Sequence, residues 1–383
     1  MLRLPPLSLY IHIPWCVRKC PYCDFNSHEA GQAIPEEAYI RALKHDLDND
    51  LAFVQGRKLT SIFFGGGTPS LFSAQAIGDI LDHAEQRIGF DSDIEITLEA
   101  NPGTFEQEKF RGFHAAGVNR LSIGIQSFNN RHLQKLGRVH DRASAVTAAA
   151  SARKAGFDNF NLDLMHGLPD QTAAEAISDL KLAIELNPTH LSWYQLTIEP
   201  NTVFYKQRPP LPDEDTLDDI QQGGHELLKK SGFFQYEISA YARENRRSVH
   251  NLNYWEFGDY LGIGAGAHGK ITLPDKGEIL RIAKTRKPED YLNRESNYRA
   301  STGAVPADEL PLEFFMNALR LCGGVPVEYF SERTGLDLSR VSQTWSTLMQ
   351  QGLVESPQQR LSTTDKGFLF LNSVLETLSG EIK

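Results

Sequence analysis

The hydrophobic period of the first half of the chain switches repeatedly between two values. Ser8–Ile13 alternates towards a short strand that stops at Pro14. Residues 35–55 then take the helical period, with Pro35 at the start and Leu43, Leu47, Leu51 and Val54 recurring along one face. A strand at 61–64 follows, then a helix over 73–89, a strand over 93–99, a helix over 104–116 and a strand over 119–126. Helices near 129–136 and 141–155 precede a strand over 157–165, and a helix over 172–186 precedes a strand over 190–198. Six strands separated by helices are the pattern of βαβ units, which predicts an α/β fold with a parallel sheet. Six repeats rather than eight predict a partial (β/α)6 barrel, open on one side.

Past Ile198 the pattern changes. Pro200, Pro209, Pro210 and Pro212 mark a loop, 215–230 reads as a helix and 233–239 as a strand. The segment Ser248-Val-His-Asn-Leu-Asn-Tyr-Trp255 comes next, followed by a glycine-rich turn over 262–269. From about residue 306, helices over 310–321, 326–334 and 338–351, a hairpin over 353–363 and a last helix over 367–378 resemble a winged helix. The expected organisation is a core over 1–240, an extension over 241–305 and a C-terminal winged-helix-like α+β domain over 306–383. Residues 301–383 hold ten Asp/Glu against six Arg/Lys. A net of −4 is the wrong sign for a phosphate backbone, so a structural or partner-docking role is expected of this domain.

Composition narrows the class. A chain of 383 residues with 40% hydrophobic content can bury one large core and a small one. The net charge of −10 offers no electrostatic case for nucleic acid as a partner. No stretch approaches the ~20 apolar residues of a transmembrane helix, and the apolar part of MLRLPPLSLY is too short for a signal peptide. With reduced cysteines expected, the reading is a cytoplasmic protein.

Three of the four cysteines fall at Cys16, Cys20 and Cys23, in a C-x3-C-x2-C run, and the fourth is far away at Cys322. A disulfide framework wants an even number, and zinc wants a fourth ligand that the neighbouring residues do not supply in a convincing place. Reduced structural thiols are the third option. An iron-sulfur cluster with three protein ligands fits best, because thiolates suit such clusters and one loop can wrap three corners of a cube. Cys322 reads as a core thiol. Chemistry-bearing residues also recur at the expected strand ends: Gly65-Gly-Gly-Thr-Pro69, Glu99-Ala-Asn-Pro102, Gln126-Ser127, and Asp163 with His166-Gly-Leu-Pro169. Parallel α/β folds carry their sites there.

The run Leu9-Tyr-Ile-His-Ile-Pro-Trp-Cys16, continuing through Cys20 and Tyr22-Cys23, resembles the cluster loop of the radical S-adenosylmethionine (SAM) superfamily. That resemblance implies a [4Fe-4S] cluster on Cys16, Cys20 and Cys23, an electron donor, and SAM chelating the open iron through its amino and carboxylate groups. Electron transfer into the sulfonium would then release a 5'-deoxyadenosyl radical. It also implies SAM contacts at Gly66, Gly67 and Thr68 for the methionine end, at Tyr10, at Tyr22 beside the adenine, and at Glu99 for an ammonium or ribose hydroxyl. Gln126, Arg138 and Asp163 match positions that contact a second SAM in oxygen-independent coproporphyrinogen III oxidase, a member of the group that the chain resembles. Two departures separate the chain from that oxidase. Phe25 stands where the oxidase has a further cysteine, and only fifteen residues precede Cys16 where the oxidase has a longer arm.

His250-Asn251-Leu-Asn-Tyr254-Trp255 instead matches the HNxxYW motif of the related heme-chaperone group. A neutral imidazole can ligate iron, and Tyr and Trp can flank a flat macrocycle. The resemblance therefore implies a protein that binds heme and passes it to an acceptor protein, with cluster and SAM serving the transfer or its regulation. The alternative is radical decarboxylation of coproporphyrinogen III. A radical tRNA-modifying enzyme is a third reading, against which the acidic charge counts.

Overall fold

The structure, a computed structural model, describes residues 2–31 and 33–380. In β1 (Leu7–Ile13) the alternation is literal: Leu7, Leu9, Ile11 and Ile13 share one face, and Ser8, Tyr10 and His12 the other. Strands β2 (Leu59–Gly66), β3 (Phe90–Ala100), β4 (Arg120–Gln126), β5 (Phe160–His166) and β6 (His190–Gln195) follow in order, each parallel to the one before. The apolar face packs under the helices Glu36–Asp50, Ala74–Arg87, Thr104–Ala115, Arg142–Lys154 and Ala173–Glu185. Several of these helices start where the sequence supplies a cap. Ser73 accepts from the Ala76 N–H, Asp141 from Ser144, and Thr172 forms a capping box with Glu175.

The opposite face is polar and hydrogen-bonded across strands. Ser8 bonds Ser61 at 2.7 Å, Ser122 donates to Asp163 at 2.9 Å, and His190 bridges Asn161 and Tyr236 at 2.7 and 2.9 Å. A partial barrel with such an interior suits polar ligands rather than a dry core.

The sheet extends beyond the six expected strands. At one edge the strand expected over 233–239 forms as β7 (Phe234–Glu237), paired antiparallel with β8 (Ala240–Ala242), which lies antiparallel beside β6. At the other, β9 (Asp259–Ile263) runs parallel to β1, followed by antiparallel β10 (His268–Leu273), β11 (Glu278–Lys284) and β12 (Arg299–Ala304). The order β12-β11-β10-β9-β1-β2-β3-β4-β5-β6-β8-β7 makes one twelve-stranded sheet. The expected glycine-rich turn over 262–269 is thus a strand end, a reversal and a strand start. Within that strand end position 262 requires glycine, because a Cβ would stand 1.9 Å from the His268 carbonyl oxygen. Asp259 pins this extension to β1: its carboxylate accepts from Lys270 Nζ at 3.0 Å, Arg57 Nη1 at 2.8 Å and the Thr272 N–H at 2.9 Å.

The C-terminal residues pack a second core around Phe314, Phe315, Phe330 and Trp345. It holds helices Leu310–Ala318, Glu328–Thr334 and Ser342–Gln350, and Val325–Pro326 pairs antiparallel with Arg360–Leu361. The expected hairpin over 353–363 comes down to a bridge between Val354 and Thr363, and the expected last helix divides into Asp365–Leu369 and Leu371–Gly380. Phe257 and Ile279 join this core to the sheet extension. Residues 381–383 of the expected domain lie outside the described residues.

Candidate functional site

Pro14 ends β1, and Trp15–Cys16 pairs in parallel with His28–Glu29, which closes residues 17–27 into a noose at the strand's carboxyl end. Lys19 Nζ ties the noose internally by donating to the carbonyls of Phe25 and Ser27 at 3.0 and 3.2 Å. Asn26 ties it outward, donating to the carbonyls of Ala265 and Arg286 at 2.9 and 2.8 Å. Cys16, Cys20 and Cys23 are free thiols opening onto one cavity of about 520 Å³. Burial, then Cys23, pushes the Cys16 thiol up to about 11, so gathered thiolates need a cationic partner to balance them. Among the described residues no group of three His, Cys, Asp or Glu converges as it would on a single ion. Soft sulfur donors spread along one wall fit a multinuclear cluster better than zinc.

Tyr22, Gly66, Gly67, Thr68, Glu99, Gln126, Arg138 and Asp163 line the same cavity. Gly66 adopts φ 115°, and a Cβ on Gly67 would stand 2.4 Å from the Trp15 carbonyl oxygen, so glycine alone lets this strand end lie against the noose. The Gly66 N–H donates to Glu99 Oε2 at 3.3 Å. Burial and then Asp163 push the Glu99 carboxyl up to about 8, and burial raises Asp163 as well. Two neighbouring buried carboxyls facing a cavity suit a cationic or hydroxyl-bearing ligand. Gln126 sits in the left-handed region at φ 67°, beside a register shift after Gly124, and its Oε1 accepts from Tyr194 at 2.8 Å. Arg138 lies inside the site, not on the surface: Nη1 donates to Cys20 Sγ at 3.6 Å and Nη2 to Asn101 Oδ1 at 2.5 Å, while the buried Nε has no partner among the described residues. Sequence reasoning passed over Asn101, which also donates to Thr68 Oγ1 at 2.9 Å and so joins the glycine turn to Arg138. Its signal was its place in the strand-end run Glu99-Ala-Asn-Pro102. Thiols, a glycine cradle, buried acids and an orphaned guanidinium nitrogen together fit a [4Fe-4S] cluster with SAM.

The HNxxYW segment is a helix, Val249–Trp255, capped by Ser248 Oγ on the Asn251 N–H. Helical spacing divides the motif. Asn251 and Trp255 line the thiol cavity, and the buried Trp255 Nε1 has no partner among the described residues. Tyr254 instead lines a second cavity of about 680 Å³, as does Tyr10. His250 lines neither. It is 2% exposed, its ring stacks on Phe63 at 4.9 Å and its Nδ1 meets Ser61 Oγ at 3.1 Å, so it seats the helix on β2. Burial and Arg120 push the imidazole down to about 3, which keeps it neutral. The two cavities share Phe25, Gly66 and Glu99.

A model described as the Radical SAM superfamily matches residues 10–183, and one described as the HemN C-terminal domain matches residues 305–370. The chain is 54% identical over 380 residues to the heme chaperone HemW of Haemophilus influenzae, covering 98% of each chain. To the heme chaperone HemW of Escherichia coli K12 it is 52% identical over 381 residues, covering both chains fully. Among solved structures it is similar to coproporphyrinogen III oxidase (HemN) from Escherichia coli, with a TM-score of 0.81 over 98% of this chain and 90% of that one; at 24% identity this concerns the fold alone. By end-to-end identity the chain belongs to the HemW family of radical SAM proteins.

Proposed function

We propose that this protein is a heme chaperone, binding heme and handing it to an acceptor protein. The observation that carries the reading is identity above one half, over the whole length, to relatives that bear that name. Phe25 adds to it. It is 62% exposed at the junction of the two cavities, an apolar ring in the position where the oxidase has a cysteine.

In this reading Cys16, Cys20 and Cys23 hold the [4Fe-4S] cluster. Gly66, Gly67, Thr68, Tyr22 and Glu99 hold SAM, with Gln126, Arg138 and Asp163 lining the same cavity; Tyr10, expected beside SAM, lines the second cavity instead. The cluster and SAM, when bound, supply redox and sulfonium chemistry. The residues themselves bind and orient: Glu99 offers an acid that ionises to accept from the amino group of SAM, Arg138 offers a fixed cation beside Cys20, and the glycine turn excludes side chains from the ligand's path. The helix of Asn251, Tyr254 and Trp255, held on the sheet by His250, forms the wall between cofactor and heme. An electron donor and an acceptor protein are the expected partners, nucleic acid is not, and the expected compartment is the cytoplasm. No helix among the described residues is long and apolar enough to cross a membrane.

Incubating the cluster-loaded chain with coproporphyrinogen III, SAM and a reductant tests the reading against the oxidase. Unchanged coproporphyrinogen, together with heme passing from the loaded chain to an apo-hemoprotein, is the expected result. Conversion to a decarboxylated product would overturn it.

A further inference from the structure

The second cavity has the chemistry of a tetrapyrrole seat. Its volume of about 680 Å³ lies within the roughly 300–1,000 Å³ of cofactor pockets. Its walls come from β1, the sheet extension, the cysteine noose and the helix Val249–Trp255. Tyr254 and Tyr260 pack edge to face at 4.3 Å on one side, and Phe25 opens onto it from the noose.

Among the imidazoles near this cavity, His268 is available to an iron. His12 has both ring nitrogens engaged, Nδ1 with Tyr10 at 3.0 Å and Nε2 with the Asn26 carbonyl at 2.9 Å. His250 has its Nδ1 on Ser61 and its Nε2 without a partner among the described residues, but it is buried and lines neither cavity. His268 lines the wall, is exposed, and has no hydrogen-bond partner on its ring among the described residues. Partial desolvation at the cavity wall, then Arg281 and Arg286, lowers its imidazolium below the ordinary range, which favours the neutral ring with its free lone pair.

The cation is equally specific. Lys284 also lines the wall, but Asp46 and Asp50 hold its ammonium. Arg286 gives only its Nε, to Asn26 Oδ1 at 3.3 Å, and its two terminal nitrogens are without partners among the described residues. A guanidinium fork with both tips free is suited to a carboxylate.

We propose that this cavity seats the heme, with Phe25 and Tyr254 against the macrocycle, His268 as the iron ligand and Arg286 as the partner of a propionate. The assignment rests on the heme reading above and goes beyond it in taking the iron from the HNxxYW histidine to His268. It also gives a role to Asn26, a noose residue whose side chain grips the carbonyls of Ala265 and Arg286: it fastens the cysteine loop to the heme seat.

The test is an anaerobic titration of the full, cluster-loaded chain with ferric heme, and separately with metal-free protoporphyrin IX, read by absorbance and by electron paramagnetic resonance. His268→Ala is expected to abolish the imidazole-ligand signature and weaken heme about tenfold or more, while protoporphyrin affinity stays within about twofold. His268→Tyr is expected to restore iron affinity with a phenolate spectrum. Arg286→Ala is expected to weaken both tetrapyrroles about tenfold. Unchanged cluster absorbance and SAM affinity verify that the variants fold. A wild type that binds heme, with His268→Ala unchanged in spectrum and affinity, would overturn the seat and leave the chaperone reading standing. A wild type that binds neither tetrapyrrole would remove both.

Discussion

Replacing Glu99 by Gln should make SAM binding markedly less pH-dependent. Burial and the neighbouring Asp163 hold the Glu99 carboxyl up at about 8, against the opposing hydrogen bond from the Gly66 N–H. At pH 7 about one tenth of the free protein is then ionised at this position. If Glu99 accepts from the iron-bound amino group of SAM, binding requires the carboxylate, so each SAM bound at pH 7 releases about 0.9 proton from Glu99, beyond the proton that the SAM ammonium gives up on chelating iron. Below pH 8 Glu99 alone should lower the affinity about tenfold per pH unit, and by pH 6 about a hundredfold. Calorimetry of the cluster-loaded chain in two buffers of different ionisation heat measures the proton directly. Glu99→Gln should bind more weakly than wild type at pH 8.5 and release about 0.9 proton fewer at pH 7. The ligand-free protein supplies an independent check on sign. A carboxyl whose folded value lies above its unfolded 4.5 holds more protons folded than unfolded, so stability falls as pH rises from about 4.5 to about 8. Glu99→Gln should remove that slope. A variant with the same proton release as wild type would refute the pairing of Glu99 with the amino group of SAM.

Two further substitutions test the scaffold. Gly67→Ala puts a methyl 2.4 Å from the Trp15 carbonyl oxygen and 2.6 Å from its carbon, both backbone atoms. A loss of about 1–3 kcal/mol in stability and weaker SAM binding are expected, read by thermal melting and calorimetry. Asp259→Asn leaves Lys270, 1% exposed, without its charge partner and should cost about 3–5 kcal/mol at pH 7 in urea titrations. Burial alone would raise the Asp259 carboxyl, but Lys270 and Arg57 hold it below its unfolded 3.8. The wild-type advantage should therefore be full above about pH 4 and vanish as the pH falls through the lower folded value. An advantage that persists in strong acid would contradict the pairing.

The legible part of the fold was the part with strong periodicity. β1 to β6 and the helices between them repeat one local pattern, and their carboxyl ends carry polar residues that a packed core does not explain. The strands of the extension expected over 241–305 were invisible for a physical reason: β9 and β10 approach so closely that Gly262 must lack a side chain, and its neighbours Gly264 and Gly266 read as a turn. β12, Arg299–Ala304, is largely exposed and has no apolar alternation to announce it. The thiol cavity was foreseen because its residues sit in motifs. Its companion was not, since Tyr10, Tyr254, Tyr260, His268 and Arg286 are brought together only by the pairing of β9 with β1. The HNxxYW motif was seen as one heme-binding unit, whereas helical spacing sends its residues to two cavities and to a buried seat.

The central claim is that the chain carries heme, and an anaerobic titration of cluster-loaded protein with heme, followed by absorbance, tests it most directly. The account predicts saturation at a single heme per chain, and subsequent loss of that heme to an apo-hemoprotein. Weak, non-saturating absorbance changes, with no heme passed on, would contradict it.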